Sequence, residues 1–469
     1  MNQPDVEAFT TRLREERGYF DSSRPIVVAR APGRLDVMGG IADYSGSLVL
    51  ELPLADATLV AAQENDAGKD ARIVVRSLAA MEDEFEVAVS VDLIAPGGQP
   101  LDYATAHALL AAEPRTRWSS YVLGAFVVLA RERGMRPRGM RLLVDSRVPV
   151  GKGVASSAAI EVAAMRAICA LERIEIDGRD LGILCQMVEN LVVGAPCGVM
   201  DQMTSACGEA NRLLALLCQP AEIVGHVALP DHLEVWGIDS GIRHEIGGAD
   251  YGAVRVATFM GYRIMADIAR LRTASRDDGR VAIDDPLWKG YLANVPVREW
   301  AVSYSAHVPA SMSGADFLDR YNGISDPVTR VDPSRIYAVR QCANHAVTES
   351  YRVGEFRRWL NDGASTPYSL AVLGGLMYAS HASYGACGLG SSGTDRLVSL
   401  VRGSGDGLIG AKITGGGSGG TVAVLARTGS RAAVERVAEQ YARETGRAAA
   451  VLGGSSDGAM RSGVAHIQA

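Results

Sequence analysis

The chain has 469 residues, enough for two domains, and 48% hydrophobic content supplies a core to each. Its net charge is −7, with 22% charged residues and no long run of one sign, which gives no support to a nucleic-acid or membrane partner and leaves any phosphate site to be made locally. Seven cysteines without a C-x-x-C pair or metal-ligand spacing, a polar stretch over residues 1–20 and the lack of a membrane-length apolar run point to a soluble protein of a reducing cytoplasm.

Residues 25–30 read as a short strand. They run into Ala31-Pro-Gly-Arg-Leu-Asp-Val-Met-Gly-Gly-Ile-Ala-Asp-Tyr-Ser-Gly-Ser47, which is polar and glycine-rich and precedes a second apolar run over residues 48–54. A buried hairpin or loop carrying Arg34, Asp43 and Tyr44 fits this pattern. A surface turn explains the glycines but not an Arg and an Asp beside so many apolar neighbours. Strands are expected at residues 73–76 and 85–89, and an apolar helix at 118–130.

A strand over residues 140–144 then leads into Val148-Pro-Val-Gly-Lys-Gly-Val-Ala-Ser-Ser-Ala-Ala159, and residues 158–171 repeat their apolar side chains at helical spacing. Gly151 and Gly153 let the backbone turn tightly and bring its N–H groups close to an anion. Ser156 and Ser157 start the helix, where unpaired N–H groups favour negative charge. The segment reads equally as a phosphate cradle or as a helix start with ordinary serine caps.

A helix over residues 179–193 carries Glu189 and is broken at Pro196 and Gly198; Asp201 opens the next helix, either as a capping carboxylate or as one positioned for chemistry. Strands at 213–217 and 233–238 frame a boundary that divides the chain into 1–225 and 226–469. Residues 273–333 are polar and rich in Pro and Asp, an insertion or a helical cap, and helices return at 335–360 and 367–384. Ala411-Lys-Ile-Thr-Gly-Gly-Gly-Ser-Gly-Gly-Thr-Val-Ala-Val-Leu425 places a second glycine-rich loop before a strand. It is no P-loop, because Ala411 stands where that motif needs lysine. Only four lysines occur, and two of them, Lys152 and Lys412, lie in the glycine-rich loops.

Four stretches, in order, resemble one family. Arg30-Ala-Pro-Gly-Arg-Leu-Asp-Val-Met-Gly-Gly-Ile-Ala-Asp-Tyr44 resembles the sugar signature of the galactokinase branch of the GHMP kinases. Residues 149–158 resemble that family's phosphate loop, Cys197-Gly-Val-Met-Asp-Gln202 the segment bearing its catalytic aspartate, and residues 414–420 its C-terminal glycine motif. The first stretch matches the L-arabinokinase type of signature almost letter for letter.

The resemblance implies an α+β fold of two domains with the active site in the cleft between them. It implies that Gly151, Gly153, Val154, Ser156 and Ser157, with Gly416 and Gly417, hold ATP, that Trp118 lies near the adenine, and that Ser157 and Glu189 bind Mg²⁺. Asp201 matches the base that takes the proton from the sugar's anomeric hydroxyl, and Arg34 the arginine that keeps it ionised. Asp43, Tyr44, Gly198 and Tyr251 match sugar contacts. One departure bears on the substrate: galactokinases carry Glu-His where this chain has Gly40-Ile41, and that pair contacts the C6 hydroxyl of galactose.

L-Arabinopyranose is the galactose ring without its CH₂OH group, so the resemblance implies a 1-kinase for L-arabinose, with D-galactose as the alternative substrate. The expected partners are the sugar and ATP, with no nucleic acid or membrane, and the chain a monomer or homodimer. Exchanging Gly40-Ile41 for Glu-His is expected to move preference towards galactose, provided residue 40 accepts a side chain. A non-catalytic sugar and ATP sensor is the reading from another class; retention of Arg34, Ser157, Glu189 and Asp201 together argues against it.

Overall fold

The structure is a computed structural model that describes residues 4–16, 18–65, 71–78, 86–242 and 249–468. An eight-stranded sheet is built from β1 (Pro25–Met38), β2 (Leu48–Glu64), β3 (Arg72–Ser77), β4 (Glu86–Ser90), β5 (Met140–Ser146), β6 (Arg212–Leu217) and β7 (Glu222–Ala228), together with the last strand of the chain. The chain then passes to β8 (Leu233–Asp239) in a second sheet. Next come a hairpin of β9 (Arg272–Ser275) with β10 (Val281–Asp284) and a short pair, β11 (Met312–Ser313) with β12 (Ile336–Tyr337). β13 (Leu408–Ile413), β14 (Thr421–Arg427) and β15 (Val451–Leu452) complete the second sheet in the order β13-β14-β8-β15. β16 (Val464–Gln468) then returns to pair with β1.

The boundary expected between residues 225 and 226 therefore falls inside β7, the hairpin partner of β6, and β16 sits with the first sheet. We propose that the second unit runs from β8 to β15. Among the described residues no helix is long and apolar enough to cross a membrane, and all seven cysteines are free.

The strand read at residues 25–30 is longer than expected. β1 continues through Pro32 and Gly33 to Met38, and its pairing with β2 shifts register twice, between Pro32 and Arg34 and between Asp36 and Met38. Bulges of this kind accommodate a proline that lacks an N–H and re-aim the side chains beside it. Arg34 is therefore fixed on a strand and not carried on a loop, and the connecting loop shrinks to residues 39–47.

Three cores meet at the cleft. One packs Phe126 and Val128 of helix Ser120–Arg133 and Val162 and Met165 of helix Ser156–Glu172 against the first sheet. A second joins Leu35 and Leu50 of the first sheet to Ala423 and Leu425 of the other, with Val148 and Val154 between them. The third gathers Ile41, helix Ala249–Ile268, Tyr384 and the aromatic residues Trp288, Trp300 and Phe317. The polar segment 273–333 is thus more than a surface insertion: its aromatic residues form the floor beneath the 39–47 loop.

Candidate active site

Gly151, Gly153 and Ala155 all have positive φ, at 70°, 69° and 62°. They wind the chain into a turn that ends at the start of helix Ser156–Glu172. The N-cap of this helix is Ala155, and among the described residues no side chain caps it, so the reading of Ser156 and Ser157 as ordinary caps fails. The N–H groups of the first turn are left without helical acceptors, the condition for an anion site. The second glycine loop packs against this turn backbone to backbone. A Cβ on Gly415 would lie 2.5 Å from the Gly153 carbonyl oxygen, so only glycine permits the approach.

Arg34 reaches this turn from β1. Its Nη1 donates to the Gly153 carbonyl at 2.7 Å, while Nε and Nη2 both donate to Asp201 Oδ1, at 3.0 and 2.7 Å. Burial pulls the guanidinium pKa down, but Asp201, Glu51 and Asp36 pull it up further, so Arg34 stays charged. Asp201 stands in the first turn of helix Met200–Cys207 with about a fifth of its side chain exposed to the cleft. A buried permanent cation thus pairs with a part-exposed carboxylate at the mouth of the site.

Glu189 lies on a π-helical turn, Val188–Val193, that follows helix Gly178–Met187 and closes at Gly194. Such turns displace one residue from the helical ladder and recur at functional sites. Burial first, and then the charge of Asp201, push Glu189 up to about 7. Its Oε2 accepts from Gln202 Nε2 at 2.6 Å, and the same amide donates to the buried Glu161 at 3.1 Å. Ser157, Glu189 and Asp201 together give the cleft an all-oxygen face. Those donors fit a hard divalent cation. Among the described residues no group of three or more His, Cys, Asp or Glu could hold a metal alone, so such an ion would draw its remaining ligands from phosphate and water.

On the sugar side, Asp43 is buried and its Oδ1 accepts from the Tyr44 N–H at 2.9 Å. A Cβ on Gly198 would lie 1.7 Å from Asp43 Oδ2, so the 197–198 turn is seated directly on this carboxylate. That turn is held by Arg255, whose Nη1 donates to the Cys197 carbonyl at 2.9 Å. Asp326 clamps the same arginine through two bonds of 2.7 Å from Nε and Nη2.

Burial and the Asp201 charge push Asp43 from 3.8 up to about 6. A carboxyl group raised on folding makes the native state favour the proton, so its burden is absent at low pH, grows as pH rises from the ordinary value through 6, and is complete above. Asp43→Asn should therefore raise stability at pH 8 by up to about 3 kcal/mol and at pH 4 by only about 0.5 kcal/mol, while raising the sugar KM. Thermal melts of both proteins at the two pH values check this; an equal difference at each would contradict it.

The cleft wall brings together Arg34, Ile41, Asp43, Gly151, Gly153, Ser156, Ser157, Glu189, Gly198, Asp201, Tyr251 and Gly416. Five expected residues stand off it. Gly40 is buried behind Ile41, Val154 belongs to the core, and Trp118 packs half-buried against the first core. Gly417 faces Leu389, and Tyr44 lines a neighbouring cavity with Lys289 and Tyr291.

Behind the wall lies a charged network that the motifs did not indicate. Lys412 is fully buried with its Nζ 2.6 Å from Asp36 Oδ2, and Arg34 Nε lies 3.3 Å from the buried Glu51. Burial, and next the charge of Asp36, push Glu51 well above the carboxylate range.

Fold and cleft together define the GHMP-kinase architecture. Residues 120–209 match the family model for the GHMP kinases N terminal domain, and residues 17–64 match the galactokinase galactose-binding signature. A Lactococcus lactis galactokinase crystallised with galactose superposes with a TM-score of 0.73 at 21% identity over 97% of this chain and 98% of that one. A mevalonate kinase does so with a TM-score of 0.54 at 11% identity over 92% of this chain and 99% of that one. The galactokinase of Chloroflexus aurantiacus is 30% identical over 90% of both chains, and with it this chain belongs to the galactokinase branch of the GHMP kinases. The L-arabinokinase of Arabidopsis thaliana is 44% identical over 100% of this chain, which spans 49% of that protein's length.

Proposed function

We propose that this chain is an ATP-dependent sugar 1-kinase that phosphorylates the anomeric hydroxyl of L-arabinose to give L-arabinose 1-phosphate. The observation that carries the reading is the Arg34–Asp201 pair, set in one cleft between the 151–157 turn and the wall formed by Ile41 and Asp43. In the proposed reaction Asp201 takes the proton from the anomeric oxygen as that oxygen forms a bond to the γ-phosphorus. The bond from the γ-phosphorus to the β,γ-bridging oxygen breaks, and ADP leaves with the electron pair. Arg34 holds Asp201 in place through Nε and Nη2 and offsets charge during transfer. The N–H groups at the helix start, with Gly151, Gly153 and Gly416, cradle the phosphates. Ser157 and Glu189 would hold Mg²⁺, which when bound neutralises phosphate charge.

L-Arabinose is favoured over galactose by the Arabidopsis relative and by Ile41, an apolar residue of the cleft lining that has no side-chain partner to offer a hydroxyl. Galactose remains the alternative substrate. ADP release at fixed MgATP, measured with each sugar alone, tests the reading: the rate should be higher with L-arabinose. No release with either sugar would favour the non-catalytic sensor.

The metal assignment has its own test. Glu189→Gln replaces a carboxylate oxygen with a neutral amide and should raise the Mg²⁺ concentration needed for half-maximal rate. An unchanged Mg²⁺ titration would remove Glu189 from the site.

A further inference from the structure

Ile41 reaches the sugar wall in a conformation that its own chemistry disfavours. Its φ is 51°, in the left-handed region where a β-branched side chain crowds the backbone. Such strain persists only where the surroundings over-determine it. Gly40, the residue before it, is held at both of its backbone polar groups. The Gly40 N–H donates to Asp36 Oδ1 at 3.1 Å, and the Gly40 carbonyl lies 3.1 Å from His345 Nε2.

A carbonyl only accepts, so Nε2 carries the proton and Nδ1 accepts from Ser383 Oγ at 2.8 Å. Burial pushes the histidine pKa down, which keeps this neutral tautomer. The Tyr384 hydroxyl lies 3.1 Å from both Asp36 Oδ2 and the Gly415 carbonyl oxygen, and a Cβ on Gly40 would fall 1.8 Å from it. Lys412, on the second sheet, places its Nζ 2.6 Å from Asp36 Oδ2.

We infer that Asp36, His345 and Tyr384 are positioning residues for sugar size: by pinning the Gly40 peptide and filling the space beside it, they hold Ile41 against the subsite that a sixth carbon would need. None of the three lies on the cleft wall. The inference rests on the L-arabinose reading and adds to it that the limit on sugar size is set behind residues 40 and 41. It also couples the sugar loop to the second glycine loop, because Tyr384 touches Gly415 and the Asp36 N–H donates to Thr414 Oγ1 at 2.8 Å.

The test is steady-state kinetics of Tyr384→Phe, His345→Ala and His345→Gln with L-arabinose, D-galactose and MgATP. Releasing Ile41 should raise the ratio of kcat/KM for galactose to that for arabinose about 10-fold, the effect of a contact on the methylene scale. The KM for MgATP should move far less than the sugar ratio, through the Tyr384–Gly415 contact alone, and His345→Gln, whose amide can still donate to the Gly40 carbonyl, should stay near wild type. A purely structural role would lower both sugars in parallel; a folded Tyr384→Phe with the wild-type ratio overturns the inference. Tyr384→Phe removes one oxygen atom and carries the test alone if His345→Ala does not fold. The wild-type ratio tests the substrate reading, and its change among variants tests the inference, so either can fail without the other.

Discussion

Asp201→Asn is expected to lower turnover by about 10²–10⁴-fold, the usual loss when a general base is removed, while MgATP still binds. Asparagine keeps the size of the side chain, and its Oδ1 can still accept from Arg34, so the walls of the cleft stay in place. What disappears is the proton acceptor, together with the charge that balances a buried guanidinium. Arg34 would then be left with Glu51, at 3.3 Å, as its nearest carboxyl group, and burial disfavours the charged form of Glu51. Some loss of stability should accompany the loss of rate, because breaking a buried ion pair leaves the other charge uncompensated. Asp201 is partly exposed, which moderates that cost. Turnover is therefore to be read on protein whose melting curve and nucleotide binding have been measured. Wild-type kcat in such a preparation would contradict the assignment of the base.

The second large effect reverses the exchange expected from the motif alone. Gly40→Glu combined with Ile41→His should abolish activity on both sugars and destabilise the protein, without conferring preference for galactose. The first atom of any side chain at residue 40 would fall 1.8 Å from Tyr384 Oη and 2.1 Å from Asp36 Oδ2. Neither neighbour is free to yield. Tyr384 is fully buried between Asp36 and Gly415, and Asp36 is held by Lys412. Overpacking a rigid site commonly costs about 1–3 kcal/mol, and here a second carboxylate would also be forced against the first. Kinetics with both sugars and a thermal melt decide the matter. A folded double variant that prefers galactose would show that the Tyr384–Asp36 pair can move aside.

Much of the cleft was legible because its residues cluster in short motifs. Gly151 to Ser157, Asp201, Arg34 and Asp43 each sit among glycines or helix-start signals whose physical meaning is local. What was missed depends on pairing between distant segments. Glu51 between Leu50 and Leu52, Glu161 between Ile160 and Val162, and Lys412 between Ala411 and Ile413 are charges inside apolar runs. That is the mark of a buried, partnered group, but nothing local says which partner it finds. Arg255 and Asp326 lie 71 residues apart. The strand carrying Arg34 was cut short because Pro32 and Gly33 read as breakers, and only the bulged pairing with β2 shows why they are tolerated. The φ of Ile41 was hidden for the opposite reason: the residue type argues against the conformation that its neighbours impose. Segment 273–333 reads only as an insertion or helical cap because its polar residues outnumber its large aromatics, yet those aromatics are the part that packs.

The central claim is that this cleft phosphorylates the anomeric oxygen of a sugar lacking C6. The most direct test supplies equal concentrations of L-arabinose and D-galactose with limiting MgATP and identifies the sugar phosphates formed, with the position of the phosphate read from its coupling to the anomeric proton. The account predicts L-arabinose 1-phosphate as the main product, with galactose 1-phosphate a minor one. Predominance of galactose 1-phosphate, or phosphate on any other carbon, would contradict it.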